Sequence, residues 1–279
     1  MTDGVLLVDK PSGITSHDAV DAVRRALGVR RVGHAGTLDP MASGLLVLGV
    51  GRATRLLRFL GDLEKEYEGT GRLGEETDTL DATGSVVRTA PADVAEEDLR
   101  GAMASFIGDI EQRPPAYSAV KVGGRRLYRA ARAGERVKAP PRRVRVDAFD
   151  LLGFDGRDFD FRAVCSSGTY VRSLVADLGT ALGPGAHLTR LRRTRIGRFS
   201  VSDAVPADAP GAPLPIDRAV EHLRRVEVDG DEAEAARHGR CLAPAGVEGP
   251  YALVGPGGRV IGVWRDTGTK SCPDVVLAG

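Results

Sequence analysis

Cysteine and long apolar runs are scarce in this 279-residue chain, and each scarcity removes a class of protein. Three cysteines, Cys165, Cys241 and Cys272, lie far apart and form no Cys-x-x-Cys pair, so neither a zinc site nor a disulfide is expected. No run approaches the ~18 to 20 apolar residues of a membrane-spanning helix. The chain opens almost directly on the strand-like Val5 to Val8, without a secretory leader, which points to a cytoplasmic protein with no membrane partner. The five histidines have no metal-ligand spacing. The turn after Gly33 lacks the Gly-Lys-Ser/Thr ending of a phosphate-binding loop, and Gly255-Pro256-Gly257 lacks the third glycine of a dinucleotide fingerprint. No metal site, phosphate-binding loop or dinucleotide fingerprint is expected on these grounds.

What is present is an ordinary globular composition, 42% hydrophobic and 28% charged, with an uneven distribution of charge. The net charge of +1 argues for no partner. Arginine, however, clusters. Seven arginines and one acid lie between Ala22 and Gly61, five arginines and no acid between Leu188 and Ser200, and a third group is formed by Arg142, Arg143 and Arg145. Acids collect instead at Glu64 to Glu68, Glu75 to Asp81, Glu96 to Asp98 and Asp229 to Glu234. Such segregation suits a face that tracks phosphates, while intramolecular ion pairs on a solvated surface are the ordinary explanation for any single cluster.

The spacing of apolar residues predicts a strand at Val5 to Val8, a helix from Ser16 through Ala19, Val20, Val23 and Leu27 stopped by Gly28, and a strand at Leu45 to Val50. A short helix is expected at Ala53 to Leu60, a half-exposed strand at Glu66 to Leu73, and a helix opened by an Asp93–Glu96 capping box. Pro114 and Pro115 make residues 112 to 128 a long loop leading into a helix. Strands at Val144 to Ala148 and Phe159 to Cys165 precede a helix at about Thr169 to Leu182. Residues 203 to 215, with four prolines, read as a linker, followed by a helix at Ile216 to Leu223. Strand Val226 to Val228, helix Asp231 to His238 and a hairpin at Tyr251 to Val254 and Val260 to Trp264 make a small β-rich module. Strands and helices mix without βα alternation, which favours an α+β fold, and the expected domains are 1–225 and 226–279.

The acid within the first basic segment is Asp39, in Gly33-His34-Ala35-Gly36-Thr37-Leu38-Asp39-Pro40. Glycines there let backbone approach a ligand, and Pro40 stiffens the turn. Nearby positive charge is expected to keep Asp39 ionised, the condition for a nucleophile or an anion clamp. An Asp nucleophile, tyrosines in polar settings and arginines suit a reaction on a flipped nucleobase. A sugar-transforming hydrolase would also use a carboxylate nucleophile but needs a second one, and none stands near Asp39 in the sequence.

Residues 33 to 46, ending Asp39-Pro40-Met41-Ala42-Ser43-Gly44-Leu45-Leu46, resemble the catalytic motif of the bacterial tRNA pseudouridine synthase B family. Four further blocks match in family order: Lys10 to Ser16, Glu66-Tyr67 through Asp81, Pro114 to Lys121, and Cys165 to Leu174. The resemblance implies a mixed, largely antiparallel central sheet flanked by helices. It also implies a cofactor-free isomerisation of uridine 55 in the T loop of tRNA, with tRNA as the partner and the protein acting as a monomer. Asp39 becomes the nucleophile, at uracil C6 or ribose C1′, Tyr67 the ring stacked on uracil, Arg172 the partner of Asp39, and Tyr170 a hydrogen-bonding group of the pocket. His34 is implied to contact RNA near the flipped base, Lys10 to support the turn or touch phosphate, Leu191 to wall the pocket and Arg55 to meet the RNA backbone. The C-terminal unit resembles the RNA-binding PUA module. A tRNA-binding folding chaperone with dispensable catalysis is the alternative.

Overall fold

The computed structural model describes residues 3–118, 120–127 and 139–277. Strand β1 (Gly4–Lys10) buries both faces, Val5 and Leu7 on one side and Leu6 and Val8 on the other. Helix α1 (Ser16–Leu27) begins with Thr15 and Asp18 capping one another and ends at Gly28 in the left-handed region, as its periodicity predicted. A short strand that periodicity did not reveal, β2 (Val32–Ala35), then leads through the Asp39 turn into β3 (Ser43–Val50). A 3-10 turn (Gly51–Arg55) and a single helical turn, α2 (Leu57–Gly61), replace the one helix expected there.

Next come β4 (Lys65–Leu73), the hairpin β5 (Glu75–Thr77) and β6 (Val86–Thr89), and helix α3 (Glu96–Ser105). The N-cap of α3 is Ala95 with no side-chain cap, so Asp93 is not the capping residue. Three acids in the first turn, Glu96, Glu97 and Asp98, face the positive end of the helix dipole instead. Strand β7 (Gly108–Gln112) is followed by two short paired strands, β8 (Lys121–Val122) and β9 (Arg125–Arg126), and the helix expected after them lies outside the described residues. Strands β10 (Arg142–Phe154) and β11 (Asp158–Cys165), helix α4 (Val171–Leu182), β12 (Ala186–Ile196) and β13 (Phe199–Ser200) complete the larger unit.

The main sheet runs β1-β3-β12-β4-β11-β10-β7, with β2 added to β3 and β13 to β12. Only the β3–β12 contact is parallel, so the mixed, largely antiparallel α+β architecture expected from the sequence is the one observed. Gly44 makes that contact possible. Its φ is +101° and a Cβ there would lie 2.3 Å from the Arg193 carbonyl oxygen. Along the same edge of β3, β2 pairs with the second half and β12 with the start, so the Asp39 turn sits where one neighbour gives way to the other. Helices α3 and α4 cover Phe149, Phe159 and Phe161 on one face of the sheet. Full burial of each such ring contributes about 1.5–3 kcal/mol.

The arginine-rich run 188 to 200 takes the ordinary course expected of such a cluster, intramolecular ion pairs on a solvated face, although most of it is also a strand, β12, hydrogen-bonded to β4 in the middle of the sheet. Its outward arginines are held in ion pairs: Arg190 with Asp160 at 3.3 Å, Arg192 with Asp9 at 2.7 Å and Arg195 with Glu64 at 2.6 Å. The proline-rich segment 203–215 is no free linker. Leu214 exchanges backbone hydrogen bonds with Val5, and Val205 bonds the Leu7 carbonyl and the Asp9 amide, so the segment covers the exposed edge of β1. The following helix is only a 3-10 turn, Ile216–Val220.

The C-terminal unit is a four-stranded sheet of β14 (Arg224–Glu227), β15 (Pro250–Val254), β16 (Val260–Thr267) and β17 (Lys270–Val276), covered by α5 (Gly230–Arg237). Val263, Val275 and Leu277 share a core with Val5, Leu45 and Val47. Cys241 and Cys272 form a disulfide, contrary to the expectation of free thiols. They are 31 residues apart in sequence, but Leu242 and Ser271 exchange backbone hydrogen bonds and bring the two Cα atoms to 4.3 Å. Cys165 is a free, buried thiol.

Candidate active site

A cavity of about 430 Å³ opens between the Asp39 turn, strands β4 and β12, the start of α4 and the Pro-Pro loop. Arg172 lies at its base, on the first turn of α4, with its Nε 2.9 Å from Asp39 Oδ2. Only 5% of the Arg172 side chain is exposed, whereas about a third of Asp39 remains open to the cavity. Arg172 also lies 3.3 Å from Asp81 and donates to the carbonyls of Thr79 and Tyr117 at 2.9 and 3.1 Å. A guanidinium bound on four sides cannot swing, so it fixes where Asp39 points.

Burial is the largest influence on Asp39 and raises its carboxyl above the ordinary value. Arg172 opposes the rise and Asp81 adds to it. The sequence-based expectation assigned this control to the arginines flanking Asp39 in the chain, and that is corrected by the structure. Arg52, Arg55 and Arg58 turn away and donate to the carbonyls of Leu277, Val276 and Asp274, docking β17. Arg24, Arg30 and Arg31 line a different cavity. The cation paired with Asp39 is Arg172, 133 residues further along and the partner that the family resemblance implied, with Lys10 adding a weaker pull in the same direction.

Tyr67 lies on β4, is 7% exposed, and lines the cavity opposite Asp39. Burial raises its phenol, which therefore stays protonated at neutral pH. Leu191 of β12 and Tyr170 also line the cavity, as the family resemblance implied. Tyr170 is seated by Gln112, whose side-chain amide bonds both its N–H and its carbonyl, and the Arg142 guanidinium stacks 4.7 Å from its ring centre. Among the described residues its hydroxyl has no hydrogen bond.

The other implied residues lie elsewhere. Lys10 is fully buried, and its ammonium donates to the carbonyls of Pro11, Ile14 and Pro40, so of its two expected roles it has the structural one. His34 faces the second cavity, of about 540 Å³, with His17, Arg24, Arg30 and Arg31. Burial and Arg193 hold its imidazole below the ordinary value, in the neutral form at pH 7. Arg55 lines neither cavity.

Two residues of the site carried no role in the sequence reading. Asp81 is 3% exposed and accepts from Thr79 Oγ1 and Thr83 N at 2.8 and 3.0 Å while pairing with Arg172. The residue before it, Leu80, has φ of +63°, the one positive value on a non-glycine among the described residues. Such backbone costs of order 1–3 kcal/mol and persists where surrounding structure imposes it. Asp81 is the second carboxylate that a hydrolase would need, but it is saturated by Arg172 and two threonines and does not line the cavity. Arg193 is 1% exposed, lines the cavity and donates to the Leu45 and Gly36 carbonyls. In the sequence it is one arginine of a basic run, and nothing sets it apart.

Known proteins resemble the chain along nearly its whole length. Residues 24–171 match the model of the TruB family pseudouridylate synthase N-terminal domain. Residues 172–209 match the tRNA pseudouridylate synthase B C-terminal domain, and residues 223–278 match the tRNA pseudouridine synthase II C-terminal model. The tRNA pseudouridine synthase B of Thermobifida fusca (strain YX) is 49% identical over the whole of both chains. That of Mycobacterium tuberculosis is 46% identical, covering 98% of this chain and 95% of the relative. Among solved structures, a chain of a Cbf5-Nop10-Gar1 complex superposes with a TM-score of 0.76 at 29% identity, covering 98% of this chain and 84% of that one. A chain of an H/ACA RNP bound to a substrate RNA containing 2'-deoxyuridine gives 0.75 at 26%, with 99% and 85% covered. With its sheet, its arginine-held aspartate and the matches agreeing along nearly its whole length, the chain belongs to the TruB family of pseudouridylate synthases.

Proposed function

We propose that the protein isomerises uridine 55 in the T loop of tRNA to pseudouridine, with Asp39 as nucleophile and no cofactor. The observation that carries this reading is the Asp39–Arg172 pair at 2.9 Å, in a cavity walled by Tyr67, Tyr170 and Leu191. A uridine turned out of the loop enters beside Asp39 with its ring against Tyr67 and Leu191. Asp39 attacks C6 or C1′, the bond from N1 to C1′ breaks, C5 is joined to C1′ after the ring turns, and the bond to Asp39 breaks in turn (displaced by C5 at C1′, or eliminated from C6), which returns the free carboxylate. The C5 proton is lost and N1 gains one, so composition is unchanged and no external reactant is consumed.

RNA flanking the flipped residue runs over the second cavity, where His34 stands among Arg24, Arg30 and Arg31, groups suited to phosphate oxygens. The unit from β14 onward acts as a PUA-like module that extends the RNA surface beyond the catalytic domain that precedes it. The protein works in the cytoplasm as a monomer without a protein partner. Its described helices are too short or too polar to cross a membrane. Incubating the protein with unmodified tRNA and with an isolated T-arm hairpin, then mapping pseudouridine by carbodiimide, tests the reading. Product at position 55 alone is expected in both, and product elsewhere or in neither contradicts it.

A further inference from the structure

Lys65 lies on β4 two residues before Tyr67 and therefore on the same face, and its side chain lines the same cavity. It is 7% exposed. Its ammonium donates to the carbonyls of Gly61 and Leu63 at 2.8 and 2.7 Å, and among the described residues no carboxylate comes within ion-pairing distance. An ammonium carries three donors, so one remains for the cavity. Lys10 offers a contrast within the same chain. Its three bonds all go to protein carbonyls, and it does not line the cavity.

A buried cation without a counter-ion is costly, and its charge is felt strongly because little water screens it. The opposite side of the cavity carries no surplus of positive charge, since Arg172 faces the two carboxylates Asp39 and Asp81. Lys65 and Arg193, neither within ion-pairing distance of a carboxylate among the described residues, put the positive charge on the Tyr67 side. Both routes open to Asp39 place negative charge on the pyrimidine. If Asp39 bonds to C6, the electron pair of the C5–C6 double bond moves toward C5 and O4. If it bonds to C1′, the pair of the departing bond goes to N1 and O2.

Resting on the reading of the site as a uridine isomerase, we propose that Lys65 contacts the flipped pyrimidine and stabilises the negative charge that its ring carries during the reaction. Besides Tyr67 on its own strand, the groups facing Lys65 are Arg193 from β12, Cys165 from β11 and the Asp62 carboxylate. Burial and Arg193 pull the Lys65 ammonium down to about 8, while Cys165 is pushed up to about 11 and Tyr67 is also raised. Lys65 is charged below that value and neutral above it, so the rate should fall as pH rises through about 8.

The test measures single-turnover pseudouridine formation and tRNA affinity for the unsubstituted protein, Lys65→Met and Lys65→Arg between pH 6 and 9.5, with folding followed by circular dichroism. Loss of a donor aimed at developing charge costs about 10²–10³-fold in rate, and Lys65→Met should lose that much with tRNA affinity within a few-fold of the original. Lys65→Arg stays charged and should carry the alkaline fall to higher pH. An unchanged rate in Lys65→Met, a loss confined to tRNA affinity, or an alkaline limb in Lys65→Arg identical to the original overturns the proposal. If Lys65→Met does not fold, the profile of Lys65→Arg decides alone. Absence of product with the unsubstituted protein overturns instead the reading of the whole site.

Discussion

Replacing Arg172 by methionine removes the group on which the site is built, and the size of the effect follows from its contacts. The substitution leaves Asp81, 3% exposed, without a cation, deprives Asp39 of its partner at 2.9 Å, and strips donors from two carbonyls. Breaking a buried pair in this way costs about 3–5 kcal/mol. At roughly 2–4 °C per kcal/mol for a domain of this size, the melting temperature should fall by about 6–20 °C at pH 7.5. The deficit must depend on pH. In the variant Asp39 keeps the burial and the neighbouring Asp81 charge that raise its carboxyl and loses the arginine that opposes them. Its protonated form therefore folds without penalty below about pH 4, and the deficit grows as pH rises through the raised value. Thermal unfolding of the unsubstituted protein and of Arg172→Met at pH 7.5 and 5.5 measures this. A smaller gap at pH 5.5 is expected, and Asp39→Asn in the Arg172→Met background should recover part of the loss at pH 7.5. Equal gaps at both pH values, with no recovery in the double variant, would refute the reasoning.

Asp39 must be ionised to attack, and burial raises its carboxyl, so the acid limb of kcat/KM should lie above the 3.8 of an ordinary aspartate. Asp81→Asn removes a negative neighbour and should move that limb to lower pH; movement the other way would contradict the assignment. Gly44→Ala puts a methyl 2.3 Å from the Arg193 carbonyl at a φ of +101°, which prevents the β3–β12 contact. A loss of about 3 kcal/mol or more, measured by urea unfolding, is expected, and a near-neutral result would mean the strands can part freely. Reducing Cys241–Cys272, which spans 31 residues, should destabilise the C-terminal sheet by about 3–4 kcal/mol on the chain-entropy estimate. Hydrogen exchange of β16 and β17 reads this out, and unchanged protection would show that the bond constrains nothing.

Much of the fold was legible because the segments concerned follow simple periods. Val5 to Val8 and Leu45 to Val50 are apolar runs buried on both faces, and α1 has its stripe, its cap and its terminal glycine. β12 escaped because two register shifts, at Leu188/Arg190 and Arg193/Arg195, break the alternation of its buried residues Leu188, Leu191 and Ile196, and because one buried position is an arginine. The edge-covering role of residues 203–215 is a tertiary property, since prolines that rule out a central strand are compatible with an edge. At the site, Asp39, Tyr67, Tyr170, Arg172 and Leu191 converge as the resemblance implied. Asp81 and Arg193 were missed because only the folded sheet brings them to Arg172 and Tyr67. The disulfide was missed for the same reason, as sequence separation carries no information on the Cα distance that decides it.

The chemistry itself is tested most directly by Asp39→Asn, which keeps the shape of the turn and removes the negative charge. The variant and the unsubstituted protein are each incubated with unmodified tRNA, without added cofactor, and pseudouridine at position 55 is mapped alongside tRNA affinity. Product with the unsubstituted protein and none with Asp39→Asn, at comparable affinity, is the predicted result. Product at position 55 from Asp39→Asn at an undiminished rate would contradict the assignment of Asp39 as nucleophile.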